Sequence, residues 1–137
     1  MPIHCDIVSQ DRQVFSGDVD IVVAPGADGV MGILPHHAPL LSTLKVGELK
    51  VRMGTAEEIF AVSGGIIEVR PDSVVILADA AERADEIDVA RAAEARRRAE
   101  AQLTAAPAQN SEAYLAAMAA LRRSSLRLTV ASRKQKK

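Results

Sequence analysis

His36 and His37 stand side by side between Pro35 and Pro39, and adjacent imidazoles are what a metal site or an acid-base pair would use. A zinc-type site needs further nitrogen, sulfur or carboxylate ligands at suitable spacing, and acid-base work needs a carboxylate partner for the ring; the neighbouring sequence supplies neither. Gly26, Gly29 and Gly32, just upstream, invite a phosphate-cradle reading. That chemistry requires a following helix whose first amides face the anion, and Pro35 and Pro39 block one. No catalytic residue and no metal ligand is therefore assigned. The two prolines read instead as rigid brackets, each fixing φ and removing an amide donor, so that the loop keeps one shape. His37 is then either an interface residue or a histidine that satisfies its own loop.

A second concentration of chemistry lies in the last third. Arg91, Arg96, Arg97, Arg98, Arg122, Arg123, Arg127, Arg133, Lys134, Lys136 and Lys137 gather there, whereas Asp6, Asp11, Asp18, Asp20 and Asp28 crowd the first. The totals nearly cancel, 17 basic against 18 acidic residues for a net charge of −1, which leaves no global case for nucleic acid as a partner. The two ends face different partners. Arg91 and Arg98 are seven apart on one helical face with Glu94 between them, and Arg123 and Arg127 are four apart on another helix. Guanidinium forks suit phosphate oxygens. The competing reading is a solvated helix face, each ion pair contributing about 0.2–0.5 kcal/mol.

The elements that must position these residues differ along the chain. Apolar residues make up 48% of the 137 but aromatics only 2%, so the core has to be built from Val, Ile, Leu and Ala, which suits a structural module better than an aromatic-lined pocket. Cys5 is the single cysteine, which excludes an intrachain disulfide and fits a reducing interior. The N-terminus lacks a signal-peptide pattern and no apolar stretch approaches the roughly 18 residues of a membrane span. The expectation is a soluble protein whose membrane link runs through a partner.

From Pro2 to Asp79 the apolar pattern has period two, as in Val19-Asp20-Ile21-Val22-Val23 and Leu49-Lys50-Val51-Arg52-Met53. Turn chemistry recurs at Ser16-Gly17-Asp18, Pro25 to Gly29, Met53-Gly54-Thr55, Ser63-Gly64-Gly65 and Pro71-Asp72-Ser73. Short strands without intervening helix predict an antiparallel β-sandwich or barrel. After Asp79 glycine disappears and Ala, Arg and Glu take over, the composition of exposed helix. The boundary is expected at 80–84, dividing a β domain, 1–84, from a helical hairpin with a basic tail, 85–137. Asp85 is expected to cap the first helix with Asp88 answering in a capping-box-like arrangement, and Ala92, Ala95, Ala99 and Leu103 to form its apolar stripe. Pro107, Gln109 and Asn110 break the pattern, Ser111 or Asn110 caps a second helix, and Tyr114, Met118, Leu121, Ser125 and Leu128 mark its apolar face. Stripes made mostly of alanine bury little area, so at about 25 cal/mol per Å² the hairpin is loosely held and able to open.

The segment Gly29 to Leu41, GVMGILPHHAPLL, closely resembles the G-x-x-G-x-L-P-x-H-A-P-L signature of the epsilon subunit of bacterial F-type ATP synthases. Phe15-Ser16-Gly17 before it, Ser63 to Val69 after it and Leu77 to Ala81 at the domain end follow in the family's order, so the resemblance spans essentially the whole chain. It implies a sandwich of about ten strands followed by an antiparallel two-helix hairpin. The implied role is that of a non-catalytic central-stalk subunit, part of the rotor of a proton-translocating enzyme at the cytoplasmic face of the bacterial inner membrane. The implied partners are the gamma subunit that forms the rotor shaft, the membrane c-ring and the alpha/beta catalytic head, with no insertion into the bilayer.

The resemblance further implies that Val30, Met31, Pro35, His37, Ala38, Pro39 and Leu40 are the interface residues toward shaft and ring; Val30 stands where some members carry an acidic residue. Ile87-Asp88-Val89-Ala90-Arg91-Ala92 resembles the [IL]-D-x-x-R-A motif through which some members bind ATP in the folded hairpin. That implies a nucleotide site of Glu82, Ile87, Asp88, Arg91, Ala92, Arg98, Arg123 and Arg127, for a regulatory ATP and with no cofactor required. With the arm extended, Arg122, Arg123, Arg127, Arg133 and Lys134 would meet acidic segments of the head and brake hydrolysis. Composition by itself fits an unrelated β-sandwich adaptor with a helical tail equally well.

Overall fold

Alternation is the strongest local signal and it decides the first strand: Ile3, Cys5 and Ile7 are buried while His4 between them is exposed. The computed structural model describes residues 2–135. Its strands are β1 (Ile3–Val8), β2 (Gln13–Val19), β3 (Ile21–Gly26), β4 (Gly29–Ile33), β5 (Leu40–Met53), β6 (Ala56–Arg70), β7 (Ser73–Ala78) and β8 (Ala81–Arg83). A short 3-10 turn (Ala84–Glu86) and the helices α1 (Val89–Ala105) and α2 (Glu112–Gln135) follow.

The strands form one hydrogen-bonded path, β2-β1-β7-β6-β5-β3-β4, with β8 attached to β6. β5 and β6, of 14 and 15 residues, serve both layers of the sandwich. Leu40–Leu44 pairs with Gly65–Val69, next to β7, β1 and β2; Val46–Met53 pairs with Ala56–Ser63, next to β3, β4 and β8. Counted by layer, eight strands with two used twice supply the ten segments expected.

Three sequence expectations are corrected. Ser63-Gly64-Gly65 is no turn but the bend at which β6 passes from one layer to the other, with φ of 75° and 127° at the two glycines, a corner made within a strand. Ser16-Gly17-Asp18 lies inside β2. The run Val19 to Val23 is broken at Asp20, which separates β2 from β3 because its carboxylate is used elsewhere: Oδ2 accepts the Gly54 amide at 2.6 Å, capping the β5–β6 turn. One pair also departs from an all-antiparallel sheet, since β1 and β7 run parallel. That is allowed because the whole chain between them acts as the crossover.

The core holds Ile3, Ile7, Val19, Val22, Ile33, Leu49, Val51, Phe60, Val62, Ile67, Val69 and Ile76, all essentially inaccessible. Cys5 joins them, and burial pushes its thiol up to about 12, so it is an inert core residue.

On the outer face of β1 and β2, His4 Nδ1 lies 3.0 Å from Asp18 Oδ1 and Nε2 lies 3.4 Å from Asp6 Oδ1. Asp6 Oδ1 also accepts Ser16 Oγ at 2.6 Å. Both ring nitrogens must carry protons to donate to both carboxylates, so the imidazolium is favoured. The Asp18 hydrogen bond, against some desolvation and with help from the Asp6 charge, raises the His4 pKa above its ordinary 6.5. A folded pKa above the unfolded one means that the contribution is complete below pH 6.5 and disappears as pH rises through the raised value. Urea unfolding followed across that window should therefore show stability falling with pH, and His4→Gln should flatten the slope; an unchanged slope refutes the assignment.

The chain divides into two units, Met1–Ala84 and Asp85–Lys137. In the second, Ile87 before α1, Ala92 and Ala99 on α1, and Ala117, Ser124, Val130 and Ala131 on α2 are buried. The expected face of α2 is thus rotated: Tyr114, Met118, Leu121, Ser125 and Leu128 flank the seam half-buried, and small residues at seven-residue spacing form its floor. The buried Ser124 hydroxyl donates to Ala120 O at 2.9 Å, so it leaves no unmet polar atom. No helix among the described residues is long and apolar enough to cross a membrane.

Candidate functional site

The bracketed loop joins β4 to β5. Leu34 O accepts the His37 amide at 3.2 Å, closing a four-residue turn with Pro35 second and His36 third. His36 has φ 66°, the left-handed value that the third position of a type II turn requires and that a non-glycine residue adopts at a cost. Its amide donates to Pro71 O at 2.8 Å, fastening the loop to the β6–β7 turn. His37 Nδ1 sits 2.8 Å from Ala38 O; a carbonyl only accepts, so Nδ1 carries the proton and satisfies the loop itself.

Of the interface set, Val30, Ala38 and Pro39 are exposed, Pro35 and His37 half-buried, and Met31 and Leu40 packed against the core. Val30 is 73% exposed, and Leu34 and Leu41, absent from the expected set, are 56% and 71% exposed. Period-two alternation from Leu40 would have placed Leu41 outward. Ile66 and Leu77, opposite each other in the β6–β7 ladder with Val8 beside Leu77, add apolar surface on the outer face of the same layer as Leu41.

In the helical unit the structure moves a cap. Asp88, not Asp85, is the N-cap of α1, its carboxylate accepting the Arg91 amide at 3.1 Å. Asp85 falls in the 3-10 turn, which uses up the residues between it and the helix. Asp88→Ala should cost the helix about 1 kcal/mol, read as lost ellipticity and earlier melting of the hairpin; unchanged melting would show the cap to be idle. Ser111 Oγ accepts the Tyr114 amide at 3.1 Å, so Ser111 and not Asn110 caps α2.

The nucleotide set is distributed unevenly. Ile87 is buried, and Ala92 lies in the helix seam. Arg91, Arg98 and Arg123 are exposed and Arg127 is half-buried. Glu94 pairs with Arg97 at 2.5 Å rather than with Arg91 or Arg98, and that hydrogen bond lowers its pKa. Arg123 and Arg127 lie one turn apart on α2, and Arg91 lies in the first turn of α1. Arg98 lies about 10 Å further along the axis. Glu82 belongs to the other unit, in β8 opposite Ala61. Of the head-contact set, Arg122, Arg123 and Arg133 are exposed on α2, while the Lys134 side chain, with Lys136 and Lys137, falls outside the described residues. Among the described residues no group of three or more His, Cys, Asp or Glu is arranged to hold a metal ion.

Residues 2–84 match the family model of the ATP synthase delta/epsilon chain β-sandwich domain, and residues 85–132 match that of the delta/epsilon chain long α-helix domain. The chain belongs to the ATP synthase delta/epsilon family. A protein of Dehalococcoides mccartyi named ATP synthase epsilon chain is 53% identical over 98% of this chain and 95% of its own length. The protein of that name from Syntrophobacter fumaroxidans is 51% identical over 96% of each. A chain in the Euglena gracilis mitochondrial ATP synthase structure comprising OSCP, F1 and c-ring superposes with a TM-score of 0.76, at 24% identity, covering 88% of this chain and 76% of that one. Family membership sets aside the reading as an unrelated adaptor.

Proposed function

We propose that the chain is a non-catalytic subunit of the ATP synthase central stalk, coupling the catalytic head to the proton-translocating ring and restraining ATP hydrolysis through a movable helical arm. The observation that carries this reading is the coincidence of two boundaries: the two family domains and the two structural units both meet at Ala84 and Asp85. A role divided between docking and regulation follows naturally from a chain so divided. The sandwich docks on the gamma subunit and the c-ring through the bracketed loop, where Val30, Leu34 and Leu41 offer exposed apolar contacts around a turn of fixed shape. The enzyme holds the subunit at the cytoplasmic face of the bacterial membrane without its entering the bilayer. The arm, held by a thin small-residue seam, exchanges its folded hairpin for an extended state in which Arg122, Arg123, Arg127, Arg133 and Lys134 reach the alpha/beta head. The test is the assembled enzyme with the chain ended after Ala84: it should still incorporate the sandwich, and hydrolysis should rise. Equal hydrolysis with and without the arm refutes the brake.

A regulatory ATP is the second reading, supported by the four accessible arginines Arg91, Arg98, Arg123 and Arg127 that one helical unit carries. A nucleotide that binds only the folded hairpin releases the brake by its differential affinity. At 100 times its dissociation constant it would stabilise the hairpin by about 2.7 kcal/mol, a clear shift in thermal melting of the isolated chain. No shift at millimolar ATP removes the sensor and leaves the brake untouched.

A further inference from the structure

Arg83 is the last residue of β8 and of the sandwich unit, and its side chain is only partly accessible. In the β6–β8 ladder it stands opposite Phe60, whose ring is fully buried. Its guanidinium therefore enters the mouth of the sandwich. It lies 5.7 Å from the Phe60 centroid and 5.9 Å from that of Phe15, the chain's only two phenylalanines, which meet edge to face at 5.9 Å. Nη2 donates to Val14 O at 2.9 Å, and Nη1 is 3.5 Å from Glu58 Oε2.

These contacts join the two layers. Val14 and Phe15 belong to β2 in one layer; Glu58 and Phe60 belong to β6 in the other. β8 has only three residues and pairs with β6 alone, and such a strand at a sheet edge has little to hold it by backbone bonding. A guanidinium can do in one group what no apolar residue could: stack on two ring faces and, with the donors of its fork, reach a carbonyl and a carboxylate. We propose that Arg83 is the clamp that holds β8 in the sandwich, bridging both layers at its open end and so fixing the point at which the helical unit departs. With the clamp in place the strand order persists to Arg83. Without it β8 detaches, and the free segment before α1 lengthens by several residues.

Amide hydrogen exchange of the full chain tests this. In Arg83→Met, which keeps an apolar stem and loses the guanidinium, exchange at Ala81–Arg83 should quicken about tenfold or more while β1 and β7 keep wild-type rates. Arg83→Lys should recover only part, because an ammonium reaches the Val14 carbonyl without the planar stack. Glu-C cleavage after Glu82 should appear in Arg83→Met and be absent in the wild type. Wild-type exchange at Ala81–Arg83 in Arg83→Met overturns the proposal, and so does a uniform acceleration through every strand, which would make Arg83 an ordinary contributor to stability. Should Arg83→Met fail to fold, Phe15→Leu removes one stacking face without altering β8; acceleration confined to β8 supports the clamp and none refutes it.

Discussion

Gly65→Ala should destabilise the sandwich by about 3 kcal/mol or more, the largest effect expected of a single methyl group in this chain. Two independent penalties meet there. The φ of 127° lies where side-chain-bearing residues are strained, and an added Cβ would fall 2.2 Å from Leu77 O and 2.8 Å from Ala78 Cα. Both are backbone atoms of β7, and Gly65 pairs with Ala78 in the ladder, so the clash can be relieved only by breaking the pairing that carries β6 from one layer to the other. The check is urea unfolding followed by strand ellipticity. A loss below about 1 kcal/mol would show that the corner has slack.

Ala99→Leu should act on the other unit alone. Ala99 is 1% exposed in the seam between α1 and α2, and overpacking a filled site costs about 1–3 kcal/mol. A hairpin whose buried residues are mostly alanine and serine, with Val130 the one larger side chain fully buried among the described residues of α2, has little apolar area with which to offset that loss, so the helices should separate while the sandwich keeps its unfolding midpoint. Tyr114, the only tyrosine in a chain without tryptophan, sits half-buried on α2 and reports the hairpin by its own fluorescence. A variant with a more stable hairpin would mean that the seam is loosely packed rather than close. A simultaneous loss in both units would mean that they unfold as one, contrary to the division at Ala84 and Asp85.

Much of this was legible in the residues. The change from period-two alternation to an alanine-rich, glycine-free segment marks the boundary because strand and helix demand different spacings of apolar groups. The loop signature and the bracketing prolines likewise carry the family and a rigid turn, since proline restricts φ wherever it stands. The caps were half legible. Asp85 and Asp88 have the same local chemistry, and only the 3-10 turn over Ala84–Glu86 chose Asp88. Ser16-Gly17-Asp18 and Ser63-Gly64-Gly65 have turn composition, yet one lies in a straight strand and the other makes a corner.

What the sequence determined by itself was therefore everything that depends on near neighbours: the two halves, the strand and helix periods, the rigid loop between Pro35 and Pro39, and the absence of any local metal or nucleotide-loop pattern. The tertiary structure decided what depends on distant pairs. It made Ser63-Gly64-Gly65 a crossing between layers, turned the buried face of α2 onto Ala117, Ser124, Val130 and Ala131, and put Glu82 in β8 and Ala92 among the buried residues of α1. It also brought Arg83 over Phe15, 68 positions earlier by residue number, and beside the Val14 carbonyl. No pattern of spacing announces such a contact, because strand pairing and layer stacking, not chain proximity, bring those groups together.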